Sequence, residues 1–199
     1  MSDARVLQPT LIDSIWPAEA GAARLTRNLV LAIIGSAALT VSAKISVPFY
    51  PVPMTMQTYM VLMIGMAFGL RLGAATVAFY LAQGLVGLPV FAAGGGFAYF
   101  LGPTGGYLVG FLAAAAVMGW LADRGWARRP LAAFVALLLG TAIPFLLGVP
   151  WLAAVLGDFG KAVAGGLLPF LWGAVFKLAL AAATLPLAWK LLARFKQDS

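Results

Sequence analysis

The chain has 199 residues, 63% apolar and 10% charged, with a net charge of +7 and neither histidine nor cysteine. A soluble domain is about a quarter charged, and one of this length still exposes roughly 30% of the surface of its unfolded chain, so this composition describes a membrane protein. The missing residue types exclude the common zinc sites, thiolate nucleophiles, Ser-His catalysis and thiolate-held iron–sulfur clusters. The basic residues fall in short clusters between long uncharged runs, a pattern of membrane loops that argues against nucleic acid as a partner.

Residues 1–27 read as a polar, Pro-containing tail, poorly ordered or lying on the membrane surface. A helical crossing takes about 20 mostly apolar residues. Six segments qualify, at about 28–47, 54–70, 72–90, 103–122, 131–149 and 168–190, with a short tail at 194–199. The fold class is therefore an all-α bundle of six transmembrane helices. Arg24 and Arg27 before a run ending Val41-Ser42-Ala43 also match a cleavable signal peptide. The long polar stretch ahead of them, and the charge alternation that cleavage would spoil, favour a retained span.

In the first span, Ala32, Ser36 and Thr40, with Ala38 and Ser42, form small-residue stripes. Such stripes let helices approach closely, which makes Ala38 and Ser42 a candidate face for a partner membrane protein. Pro48, Pro51 and Pro53 impose extended backbone before the second span. Thr55 and Gln57 then bring polar atoms to its entrance. Gln57 both donates and accepts, which suits an amide or ureido group; capping of the helix start explains the pair equally well.

Pro89 and Gly94-Gly95-Gly96 break the chain between the third and fourth spans. The triplet lacks the Lys-Ser/Thr of a phosphate loop and reads as a close-packing or lid segment, so Gly94 joins the candidate site. Phe97, Tyr99, Tyr107 and Trp172 either wall an apolar pocket or form an interfacial belt. In the joint 150–167, Trp151, Leu152, Val155 and Leu156 suggest a short interfacial helix. Asp158 and Lys161, three apart, form a weak pair, and Asp158 reaches a ligand only if this joint folds back over the pocket.

With both termini inside, the inner segments hold Arg5, Arg24, Arg27, Arg71, Arg124, Arg128, Arg129, Lys190, Arg194 and Lys196, ten of the 13 basic residues. The outer side has only Lys44 and Lys161, a strong bias. The inner charges need do no more than set topology, and Lys44, near a span end, can snorkel. Lys177 differs. It lies roughly 12 Å along the last helix from Pro169, where an ammonium needs an anion or a cluster of acceptors. Gly173 and Ala174 leave room beside it. Capture of a small-molecule carboxylate is the functional reading, and snorkelling the bland one.

Four motifs together resemble a known family. They are Pro51-Val-Pro-Met-Thr-Met-Gln57-Thr58, Gly69-Leu-Arg71-Leu-Gly73, Gly87-Leu-Pro89-Val-Phe91-Ala92 and Leu101-Gly-Pro-Thr-Gly-Gly-Tyr107-Leu-Val-Gly110-Phe111. Over about 28–190 the chain resembles the BioY family, the biotin-binding S-components of energy-coupling-factor (ECF) transporters. The resemblance implies six helices in a prokaryotic plasma membrane and a biotin pocket near the outer face. It also implies a transmembrane coupling protein and cytoplasmic ATPases as partners. Biotin is then cargo rather than a cofactor, and no enzyme is expected. Lys177 would take the carboxylate and Gln57 or backbone groups the ureido ring, with Thr55, Trp172, Tyr107, Gly94 and Asp158 completing the candidate site.

The family's last helix typically opens Pro-Phe-x-Pro-Gly-Asp-x-x-Lys. Here Pro169, Phe170, Gly173 and Lys177 match, while Trp172 and Ala174 replace the second Pro and the Asp. Alternatives are a subunit for another carboxylate vitamin or a biotin precursor, a membrane enzyme, and a structural membrane protein without a ligand. No acid or histidine cluster supports the enzyme.

Overall fold

Hydrocarbon offers no hydrogen bonds, so a chain that crosses it must satisfy its backbone internally, and long uncharged runs fold as helices. The computed structural model describes residues 8–197, with side chains as far as Phe195. In chain order the helices are α1 Leu11–Ile15, α2 Ala22–Lys44, α3 Gln57–Leu85, α4 Phe97–Leu101, α5 Gly105–Ala122, α6 Pro130–Leu156, α7 Phe159–Gly166 and α8 Phe170–Gln197. Five of them, α2, α3, α5, α6 and α8, are long and apolar enough to cross a membrane. Strands β1 Ser46–Val47 and β2 Met54–Thr55 pair antiparallel, with Ser46 opposite Thr55.

The second and third predicted spans form one helical element, α3, folded back on itself. Gly69 has φ +78° and ψ −179° and is the one non-helical residue inside α3. The Gln57 Nε2 lies 2.8 Å from the Tyr80 hydroxyl, whereas in a straight helix residues 23 apart would be about 35 Å apart. Gly73 of the second arm packs against Gly65 of the first. The elbow is held by Asp123, at the end of α5, whose carboxylate accepts from the Leu70 N–H at 3.2 Å. A Cβ on Gly69 would overlap that carboxylate, so both conformation and space demand glycine there.

Several expectations need correction. The 1–27 tail is folded over residues 8–27, while residues 1–7, with Arg5, lie outside the described part. Thr10 and Asp13 form a capping box on α1, and the strap they belong to crosses one end of the bundle. Gln8 N–H donates to the Asp123 carbonyl at 2.9 Å, and Arg128 donates to the Pro9 carbonyl at 2.7 Å. Arg27 is buried; it pairs with Asp13 at 3.1 Å and donates to the Trp16 carbonyl at 2.7 Å. It therefore ties down the strap. At the other terminus, α8 continues through the expected tail to Gln197.

The small-residue stripe faces inward. Ser42 is buried and donates to the Leu39 carbonyl, Ser36 donates to Gln83 of the second arm of α3, and Ala38 is half-buried. The stripe is occupied inside the bundle, and Ser42 is not on a partner-facing surface. Leu25, Leu29, Val30, Ile33, Ile34 and Val41 are the exposed large apolar residues of α2. Finally, Trp151, Leu152, Val155 and Leu156 extend α6 through Pro150 rather than forming a separate helix. Leu152 is fully buried, and the short helix of this joint is α7.

Candidate functional site

At the end of the bundle opposite the Gly69 elbow, the 52–58 segment, the 91–104 segment and residues of α5, α6 and α8 surround a partly open cavity. Its volume is about 50 Å³, room for water but well short of the roughly 300–1,000 Å³ of small-molecule pockets. Thr55, Gln57, Phe91, Tyr99, Tyr107, Phe145, Phe170 and Lys177 are among its walls.

Lys177 reaches it because α8 places Phe170 and Lys177 on one face, seven residues or about two turns apart. The lysine is 5% exposed, and its Nζ donates to the Thr55 carbonyl at 3.0 Å. That carbonyl is offered by β2, whose pairing with β1 turns the Pro-rich segment back into the bundle. An ammonium has three donors, and no carboxylate lies within ion-pair distance of Lys177 among the described residues. A cation so placed favours an anionic ligand atom.

From Thr55 a chain of hydrogen bonds runs across the site. The Thr55 hydroxyl donates to the Gln57 Oε1 at 3.0 Å and accepts from the Gln57 N–H at 3.2 Å. The Thr55 hydroxyl therefore satisfies the first N–H of α3 while both side chains line the cavity. The Gln57 amide donates to the Tyr80 hydroxyl, which donates to the Val90 carbonyl at 3.0 Å. Tyr107 is held by its hydroxyl, which donates to the Gly166 carbonyl at 2.8 Å, and its ring meets Phe145 edge-on at 6.2 Å.

Phe91 forms one wall of the cavity. Its ring is fully buried between Tyr80, at 5.5 Å and edge-on, and Tyr99, stacked at 5.2 Å. It lies directly on Gly84, where a Cβ would overlap the ring. Lys44 donates to the Phe91 carbonyl at 2.6 Å, so it does more than snorkel.

Of the expected site residues, Lys177, Gln57, Thr55 and Tyr107 meet at this cavity, and three do not. Trp172 is 83% exposed; five residues from Lys177, it lies about 140° around α8. Gly94 does not line the cavity, but its carbonyl accepts from the Phe91 N–H at 2.9 Å and so shapes the loop. Asp158 caps α7, accepting from the Lys161 N–H at 2.9 Å, with the Lys161 Nζ at 3.8 Å. The joint carrying it does not bring it to the cavity.

Ala174 lines a separate apolar groove of about 720 Å³ between α6, α7 and α8. Sequence reasoning missed Phe91, Tyr80 and Lys44. A tyrosine hydroxyl inside an apolar span needs a partner, and that was the available signal for Tyr80; Phe91 stood within a family motif, but nothing local placed its ring at the cavity.

A family model described as the BioY family matches residues 12–194. A biotin transporter BioY of Thermotoga maritima is 40% identical over 158 residues, covering 78% of this chain and 92% of that protein. A probable biotin transporter BioY of Pyrococcus horikoshii is 37% identical over 156 residues, covering 78% and 91%. The crystal structure of the S-component for biotin from an ECF-type ABC transporter matches with a TM-score of 0.75 at 25% identity, over 86% of this chain and 95% of that one.

Proposed function

This chain belongs to the BioY family, and from that premise we propose that it is the biotin-binding S-component of an ECF-type uptake transporter. It is a transport protein, not an enzyme. The observation that carries the reading is Lys177, a buried ammonium with one hydrogen bond and no carboxylate partner among the described residues, on the wall of the cavity. The biotin carboxylate would take its free donors, Gln57 and Thr55 the ureido ring, and Tyr107, Phe145 and Phe170 the apolar body. Because the cavity is small, ligand enters only when Phe91 and its loop withdraw.

Counting the two arms of α3 separately makes six crossings, and an even number puts both termini on one side. The first arm, residues 57–68, spans only about 18 Å. The inward-folded residues 52–56 take up further depth, tolerable because they pack within protein. Arg71, Arg124, Arg128 and Arg129 gather at the elbow end, which supports a cytoplasmic location for that end and for the termini, in a prokaryotic plasma membrane. The chain carries no nucleotide-binding motif, so a transmembrane coupling protein and cytoplasmic ATPases supply the energy. Biotin is cargo, and no resident cofactor is needed.

The test is a titration of purified protein in lipid nanodiscs with radiolabelled biotin, beside a panel of other carboxylate vitamins. Saturable binding of biotin ahead of the panel is expected. No saturable biotin binding overturns the assignment.

A further inference from the structure

The loop 86–96 joins the second arm of α3 to α4 and carries Phe91, whose buried ring forms part of the cavity wall. Two side chains from different helices grip neighbouring carbonyls of this loop. Tyr80, on the second arm of α3, donates to the Val90 carbonyl at 3.0 Å. Lys44, the last residue of α2, donates to the Phe91 carbonyl at 2.6 Å. The loop backbone at Val90 and Phe91 cannot lift away from Tyr80 and Lys44 without breaking both bonds.

The Tyr80 hydroxyl is also the acceptor for the Gln57 amide at 2.8 Å. One atom therefore links a cavity-lining side chain to the loop above it. Tyr80 is fully buried, so its bond has no competition from solvent, whereas the Lys44 side chain is exposed and can exchange its bond for water.

We propose that Lys44 and Tyr80 are positioning residues that hold the 86–96 loop closed over the cavity and so set the rate at which bound ligand escapes. The inference rests on the biotin-binding reading of the cavity. It adds two residues outside that contact set, with a kinetic rather than a recognition role.

The test uses the full chain in lipid nanodiscs, with Lys44→Met, Tyr80→Phe, the double variant and Lys44→Arg. Each variant is loaded with radiolabelled biotin and chased with unlabelled biotin. Each single loss of a bond should speed dissociation by about tenfold, the equilibrium effect of one hydrogen bond. Lys44→Arg, which keeps a donor, should return the rate to near that of the parent. The double variant should fall well short of the product of the two, because a loop already released by one change has little left to lose to the other.

A ligand-free readout accompanies these rates. The chain has no cysteine, so Ala93→Cys gives a single nitroxide site on the exposed tip of the loop. Its spectrum should report faster motion in Lys44→Met and Tyr80→Phe than in the parent. Unchanged dissociation rates and spectra overturn the proposal, as does a lowered melting temperature with dissociation unaltered. If the parent chain binds no biotin at all, the biotin reading fails by itself, and the nitroxide spectra still decide whether the two residues restrain the loop.

Discussion

Replacing Lys177 by methionine removes a buried cation while keeping most of its unbranched stem. In the structure the ammonium makes one hydrogen bond, to the Thr55 carbonyl, and has no carboxylate partner among the described residues. A biotin carboxylate in the cavity would gain a charge-assisted hydrogen bond of about 1.5–3 kcal/mol. At about 1.4 kcal/mol per factor of ten, Lys177→Met should weaken biotin binding by roughly 10- to 150-fold.

Stability should move the other way or stay level, since an unpaired charge leaves the interior. Isothermal titration in nanodiscs, run with biotin and with its methyl ester, separates charge recognition from general damage. The parent should prefer the acid strongly, and the variant should treat acid and ester nearly alike. Discrimination as large in Lys177→Met as in the parent would refute the carboxylate role, as would biotin affinity within twofold of the parent.

Gly69→Ala should cost at least the roughly 1–3 kcal/mol of an alanine forced into glycine-only backbone, and more from overlap with the Asp123 carboxylate. For a chain of this size that is a loss of about 4 °C or more in melting temperature, and an unchanged scan would contradict the elbow. Asp123 lies beyond the end of α5, and burial pushes its carboxyl above the usual range, opposed by the Leu70 N–H bond. A raised acid pKa means stability is present at low pH and is lost as pH rises through the folded value. Melting scans from pH 4 to 8 should therefore show the parent losing ground to Asp123→Asn as pH rises. The opposite trend would reverse the assignment of cause. Arg27→Met removes the ion pair to Asp13 and the bond to Trp16; limited proteolysis should cut residues 8–20 faster than in the parent, and equal rates would deny the strap its anchor.

Composition alone made the chain a membrane protein, because 63% apolar residues with 10% charge leave no other solvent in which the surface is tolerable. The uncharged runs located the long helices, and Lys177 stood out because an ammonium inside such a run must have a reason to be there. The motifs carried the family. These properties are local or additive, so a linear reading reaches them. The same reading misjudged Trp172, Asp158 and Ser42, whose roles depend on which way a helix is rotated and on what covers it.

Only the tertiary structure set the strap across the elbow, the loop gripped by Lys44 and Tyr80, and the meeting of Lys177 with Gln57 through the carbonyl and hydroxyl of Thr55. Each joins residues far apart in sequence, 122 positions in the case of Lys177 and Thr55. Hydrophobic periodicity cannot choose among such pairings when every face of a helix is apolar, as α5 and α6 nearly are. In that setting the choice falls to close packing and to a handful of directional hydrogen bonds, and both exist only once the helices have come together.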